Sequence, residues 1–163
     1  MTAATLTRSA AELYATNIVR EANNGRCQIS GLVATGEYGS GNWCHRVPEG
    51  QGCPRVPAGG LWLDHAVHMV THSARDLSRR AGWMIRPPVA FRWTTEEWSA
   101  YVRPIPALCI VGGQDGWWLL DASGDGLARL ADDTEVAAAG LDPTLTLPEA
   151  LAELERVTGW RAA

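Results

Sequence analysis

The sequence predicts a single α+β domain over residues 1–163. Its expected architecture is a small antiparallel sheet of three to four strands packed against three main helices, with a long Gly/Pro-rich loop at 35–60. Three observations lead there. A chain of 163 residues, 46% of them hydrophobic, is long enough to bury one core and too apolar to be disordered through most of its length. Three segments carry helical apolar spacing with start and stop residues. Short apolar runs separated by Gly/Asp turns in the second half read as strands of a hairpin sheet.

The first helix is expected over residues 9–22. Ser9 and Glu12 stand at capping-box spacing, Leu6, Ala10, Leu13, Asn17 and Ile18 roughly follow the helical period, and Asn23-Asn24-Gly25 is a stop. Cys27 to Val33 reads as a short strand. Residues 35–60 then lose periodicity and hold seven glycines and three prolines, a stretch that a metal, a ligand or a disulfide would help to order. The clearest helix runs from 64 to 81, between Asp64 as cap and Gly82 as stop. Val67, Val70, Ala74 and Leu77 make its apolar stripe. His65, His68 and His72 fall on the opposite side, extended by Arg75 and Arg79.

After Pro87-Pro88, Val89 to Trp93 reads as a strand. Thr94 with Glu97 caps a short helix that ends at Pro104. Ala107–Val111 and Trp117–Asp121 form the expected hairpin, with Asp115-Gly116 as its turn pair, and Leu127–Leu130 adds a strand. The last helix is capped by Thr146 and Glu149 and turns Leu151, Leu154 and Val157 inward. Eight tryptophans supply buried area and N–H donors, and most belong to the core.

Charge narrows the function. Net charge is −4, and no nucleic-acid-binding motif is present, so there is no strong nucleic-acid signal. Residues 1–103 carry eleven arginines and eight acids; residues 104–163 carry three and ten. The acidic half is the basis for a protein-interaction reading. There is no lysine, which removes the usual Walker A motif. No signal-like or membrane-spanning run appears, so a cytoplasmic location is expected. In that compartment four cysteines are more readily thiols or ligands than disulfides.

All four histidines and three of the four cysteines lie between Cys27 and His72. Neutral imidazoles and thiolates are zinc ligands. The expected site is zinc held by Cys44, Cys53, His65 and His68, with His45 and Cys27 as competing ligands. The spacing matches neither paired CxxC nor HExxH, so a Cys44–Cys53 disulfide and metal-free histidines stay open. Arg75, Arg79 and Arg80, with His72 and Arg86, could clamp a phosphate or carboxylate. Cys27 or Cys44 as a nucleophile is a further alternative, and Cys109 reads as an inert core thiol. Asp121–Gly126 with Asp132 partly imitates a calcium loop, which a polar turn explains as well. The resulting functional expectation is a small zinc-stabilised binding or regulatory protein. The alternatives are a metal-dependent hydrolase or cysteine-nucleophile enzyme acting on a small anionic substrate, and a metal-free interaction module.

Overall fold

The computed structural model describes residues 3–34, 41–86, 93–120 and 128–161. In chain order the elements are α1 (Ala3–Ala22), β1 (Asn42–His45), β2 (Gly60–Leu63), α2 (His65–Ser73), α3 (Arg75–Arg80), α4 (Thr95–Val102), β3 (Ala107–Val111), β4 (Gln114–Leu119), β5 (Arg129–Leu130), α5 (Asp133–Ala138) and α6 (Leu147–Thr158). Single 3-10 turns at Glu49–Gln51 and Pro57–Gly59 interrupt the Gly/Pro-rich loop. The fold is α+β and antiparallel, as the sequence implies. The described strands form two sheets, β1-β2 and β3-β4-β5, where one had been expected.

Gln28 bridges the two small sheets. Its backbone N–H donates to Trp62 O at 2.9 Å, and its side-chain Oε1 accepts from Trp62 N at 2.7 Å. Its carbonyl accepts from Ile110 N of β3 at 2.7 Å. The segment read as a strand at Cys27–Val33 is a turn closed by an Arg26–Val33 bridge, yet its backbone spans the gap between β2 and β3. Burying this amide is tolerable because its carbonyl oxygen and both main-chain groups find partners.

The single helix expected at 64–81 is two. Asp64 caps the first through Ala66 N, and Ala74, at φ −94° and ψ 58°, separates the two. The buried Ser78 hydroxyl donates to Thr71 O at 2.7 Å, supplying a side-chain bond where the helical ladder is interrupted. The apolar stripe survives the break: Val67, Ala74 and Leu77 are buried and Val70 is half-buried. They join β2, β3, β4, α5 and α6 in the main core. A second cluster gathers Val47, Cys53, Ile85, Trp98 and Val102, with Trp93 and Tyr101 packed edge-on at 5.1 Å.

Other elements refine the sequence reading. α1 begins at Ala3, so Ser9 lies within the helix and does not cap it; the buried face carries Ala15 and Val19, while Leu13 is exposed. The capping boxes of Thr94 with Glu97 and Thr146 with Glu149 both form. In α6 Leu154 is buried and Leu151 half-buried, but Val157 is exposed. The β3–β4 register pairs Val111 with Gln114, so the two-residue turn is Gly112-Gly113, both at positive φ, and Asp115-Gly116 lie inside β4. The expected strand at 89–93 and the calcium-like loop at 121–126 fall almost wholly outside the described residues; Asp132 caps α5.

One residue ties the irregular segments together. Arg46 follows β1 and is fully buried. Its Nε donates to Gly82 O, Nη1 to Ala58 O, and Nη2 to Ile105 O and Pro106 O, all at 2.7–3.1 Å. Its backbone N–H bonds Gly59 O and its carbonyl accepts from Ile85 N. Burial lowers the guanidinium to about 10, which leaves it charged at neutral pH. Carbonyl dipoles from three chain segments therefore replace the water it has lost. Gly82 sits at φ +69°, and a Cβ there would come within 2.1 Å of Pro106 O, so no other residue lets the two segments approach this closely.

Arg46→Leu leaves these four carbonyls without their donor. It should lower the free energy of unfolding in urea by at least about 3 kcal/mol, with Arg46→Lys recovering only part of the loss. Leu77→Ala should cost roughly 2–5 kcal/mol in the same assay. A loss below about 0.5 kcal/mol at either position would contradict the packing described.

Candidate metal centre

β1 and α2 build the site together. β1 pairs with β2 so that Asn42 lies beside Leu63 and Cys44 beside Leu61. α2 starts just after β2 and runs back along β1. Side chains alternate along a strand, so Asn42 and Cys44 share the face turned to α2. Asn42 Nδ2 donates to His65 Nδ1 at 3.0 Å, which fixes the start of the helix against the start of the strand. Cys44 lies two strand residues further on, roughly 6.8 Å. Along the helix, His68 and His72 lie roughly 4.5 and 10.5 Å beyond His65, and Cys44 falls between them.

The result is a cluster in which Cys44 Sγ and one ring nitrogen each of His68 and His72 lie within 4.8 Å of one another. The two Nε2 atoms are 3.0 Å apart, with ring centroids at 4.9 Å. Two imidazole nitrogens on a tetrahedral ion at ~2.0–2.1 Å stand about 3.3 Å apart, and each stands about 3.6 Å from a thiolate at ~2.3 Å. Those separations fall inside the 4.8 Å within which the three groups already stand. A Cys/His cluster able to hold a metal ion is thus present, and it is the one such group among the described residues.

The structure brings together two of the four residues named from the sequence, Cys44 and His68, and adds His72. Cys53 and His65 stand outside the cluster: the buried Cys53 thiol points at Pro54 O and Gly59 O at 3.6 and 3.5 Å, and His65 is engaged by Asn42. The signal for His72 was its i, i+4 spacing from His68, which puts both rings on one side of a helix. All four cysteines are buried and free, so Cys44 and Cys53 are not joined as a disulfide.

Electrostatics separate metal binding from thiol chemistry. Burial pushes the Cys44 thiol up to about 12; a hydrogen bond with Thr71 opposes this, while Cys53 and Cys27 add to it. Burial, with His72, His65 and His45 around the ring, holds His68 down at about 4. At neutral pH the pair is therefore thiol and neutral imidazole. An activated cysteine needs the reverse, a low-pKa thiolate beside imidazolium. A neutral imidazole is the form a metal requires, and a cation at the site supplies the attraction that removes the thiol proton. Cys109, buried in β3, is likewise raised to about 12 by burial, and among the described residues it belongs to no such cluster.

His68 and His72 open onto a cleft of about 530 Å³ whose walls also carry His45, Arg75, Arg79 and Arg86. His45 Nε2 lies 3.5 Å from Glu12 Oε2 of α1, and Arg55 pairs with the same carboxylate. No aspartate or glutamate lines this cleft among the described residues. Comparison with protein-family models, curated proteins and solved structures finds no match to the chain.

An unfolded histidine titrates near 6.5, whereas His68 in the fold resists protonation down to about 4. Between those values the unfolded chain binds the proton and the folded chain does not, so His68 makes stability fall as pH falls through this window. In chelator-treated protein the melting temperature should drop as pH is lowered from about 7 to about 5. The drop should be smaller in His68→Gln; equal slopes in the two proteins would contradict this assignment.

Proposed function

We propose that the protein is a zinc-dependent hydrolase, with the ion held by Cys44, His68 and His72 and a fourth position left to water on the cleft side. The observation that carries this reading is the three-residue cluster whose two histidines line an open cleft. One thiolate and two imidazoles suit zinc among the common ions. Three protein ligands plus water is the pattern of catalytic zinc sites, in which the bound water loses its proton near neutral pH.

The residues between the two histidines are Met69, Val70 and Thr71, so the glutamate base of an HExxH helix is missing. Within the cleft the side chain suited to move a proton is His45, with Glu12 on its Nε2 side. A structural or regulatory zinc is the second reading. Its support is that Cys44 is buried where β1 meets α2, so an ion there would clip strand to helix.

Elemental analysis and cobalt substitution test both. Untagged protein should carry one zinc per chain. Cys44→Ser, His68→Ala and His72→Ala should each remove most of it, and Cys53→Ser and His65→Ala should retain it. In the cobalt form, azide should change the visible spectrum if water holds the fourth position. A spectrum indifferent to azide would favour the structural reading, and metal-free protein with all five variants unchanged would end both.

A further inference from the structure

The described cavities differ in whether their charges are already used. The open groove between α4 and α5, about 740 Å³, includes Arg129, but Glu135 holds that guanidinium at 2.5 and 2.9 Å. On α3, Arg80 is taken by Asp76 at 3.1 Å and by Glu153 of α6. The cleft at the metal centre is unlike both. Arg75, Arg79 and Arg86 line it, all three are exposed, and among the described residues none has a carboxylate partner.

Their placement follows from two features of the fold. Arg75 and Arg79 are four residues apart on α3, so they project from one face, and the break at Ala74 leaves that face directed to the same cleft as His68 and His72. Arg86 comes from a different segment. The bond from Ile85 N to Arg46 O draws that segment against the end of β1, which sets Arg86 across the cleft.

We propose that this cleft binds the phosphoryl group of a small molecule, with Arg75, Arg79 and Arg86 gripping its oxygens beside the metal. The proposal rests on the zinc reading for the metal's share of the charge, and on the arginines for the rest. Zinc with one thiolate leaves one positive charge, and three guanidiniums add three. Such a field favours a dianion over a carboxylate. Guanidinium forks match phosphate oxygens in pairs. The cleft volume suits a small molecule that carries this group and exceeds what inorganic phosphate alone would fill. Arg80 takes no part, because its two carboxylates already engage it.

Calorimetric titration with inorganic phosphate, and with acetate as the carboxylate control, tests the assignment. Wild-type protein, Arg75→Gln, Arg79→Gln and Arg86→Gln are compared, zinc-loaded and metal-free, with zinc content measured in the same samples. These arginines are exposed, so the variants should fold, and circular dichroism checks it. Phosphate should bind one per chain and at least about tenfold more tightly than acetate. Each substitution should weaken phosphate roughly tenfold without changing zinc content. If the chain takes up no zinc, the zinc reading fails, while phosphate binding lost in the arginine variants still supports the anion site. Failure of phosphate to bind wild-type protein in either state, equal binding of acetate, or unaltered phosphate affinity in all three variants overturns it.

Discussion

The fold turns on the burial of one guanidinium. Among the described residues no carboxylate pairs with Arg46, so its charge is tolerable only where several carbonyls converge, and that requirement gathers the chain. The Gly/Pro-rich loop supplies Ala58, the turn after α3 supplies Gly82, and the approach to β3 supplies Ile105 and Pro106. Apart from the single 3-10 turn at Pro57–Gly59, these segments have no regular structure of their own to hold them. The carbonyl of Arg46 then takes Ile85 N, which brings the last wall of the cleft to the end of β1. The residue that orders the loop is thus two positions from the proposed sulfur ligand, and the scaffold and the site share one anchor.

From that anchor the candidate metal centre follows by register. β1 delivers Cys44 at a fixed distance along its length, and the Asn42–His65 bond sets α2 against it in phase. The neutral state of His68 and the protonated state of the Cys44 thiol both come from burial; the first leaves an imidazole in the form a cation requires, and the second argues against nucleophilic sulfur. Beyond the cluster, the cleft wall changes from imidazole to guanidinium with no carboxylate among its described lining residues. A metal and an anion would therefore be neighbours there, each lowering the cost of binding the other.

Much of this was legible in the sequence where the signal is local. The capping boxes at Thr94 and Thr146, the Asp64 cap and the buried stripe of Val67, Ala74 and Leu77 follow from spacing and hydrogen-bonding chemistry within a few residues. α5 was missed although Asp132 and Glu135 form a capping box of the same kind, because the helix is only six residues long and offers little periodicity. The hairpin was found but its turn misplaced, since Gly-Gly and Asp-Gly both satisfy the turn rule and only the pairing decides. At the break at Ala74 the buried hydroxyl of Ser78 donates to Thr71 O, a contact that no pattern of hydrophobicity reveals. Cys44 and His68 were chosen because thiols and imidazoles are scarce and clustered. The place of His72 depends on where β1 lies beside α2, a tertiary fact. Arg46 carried no sequence signal at all, being one of fourteen arginines in a chain without lysine.

X-ray absorption at the zinc edge on the reconstituted protein tests the account most directly. The arrangement predicts a first coordination sphere with one sulfur at about 2.3 Å, two imidazole nitrogens at about 2.0–2.1 Å and one further light atom from water. A sphere with two sulfurs, which would bring Cys53 or Cys27 to the ion, would contradict it, as would the absence of any sulfur.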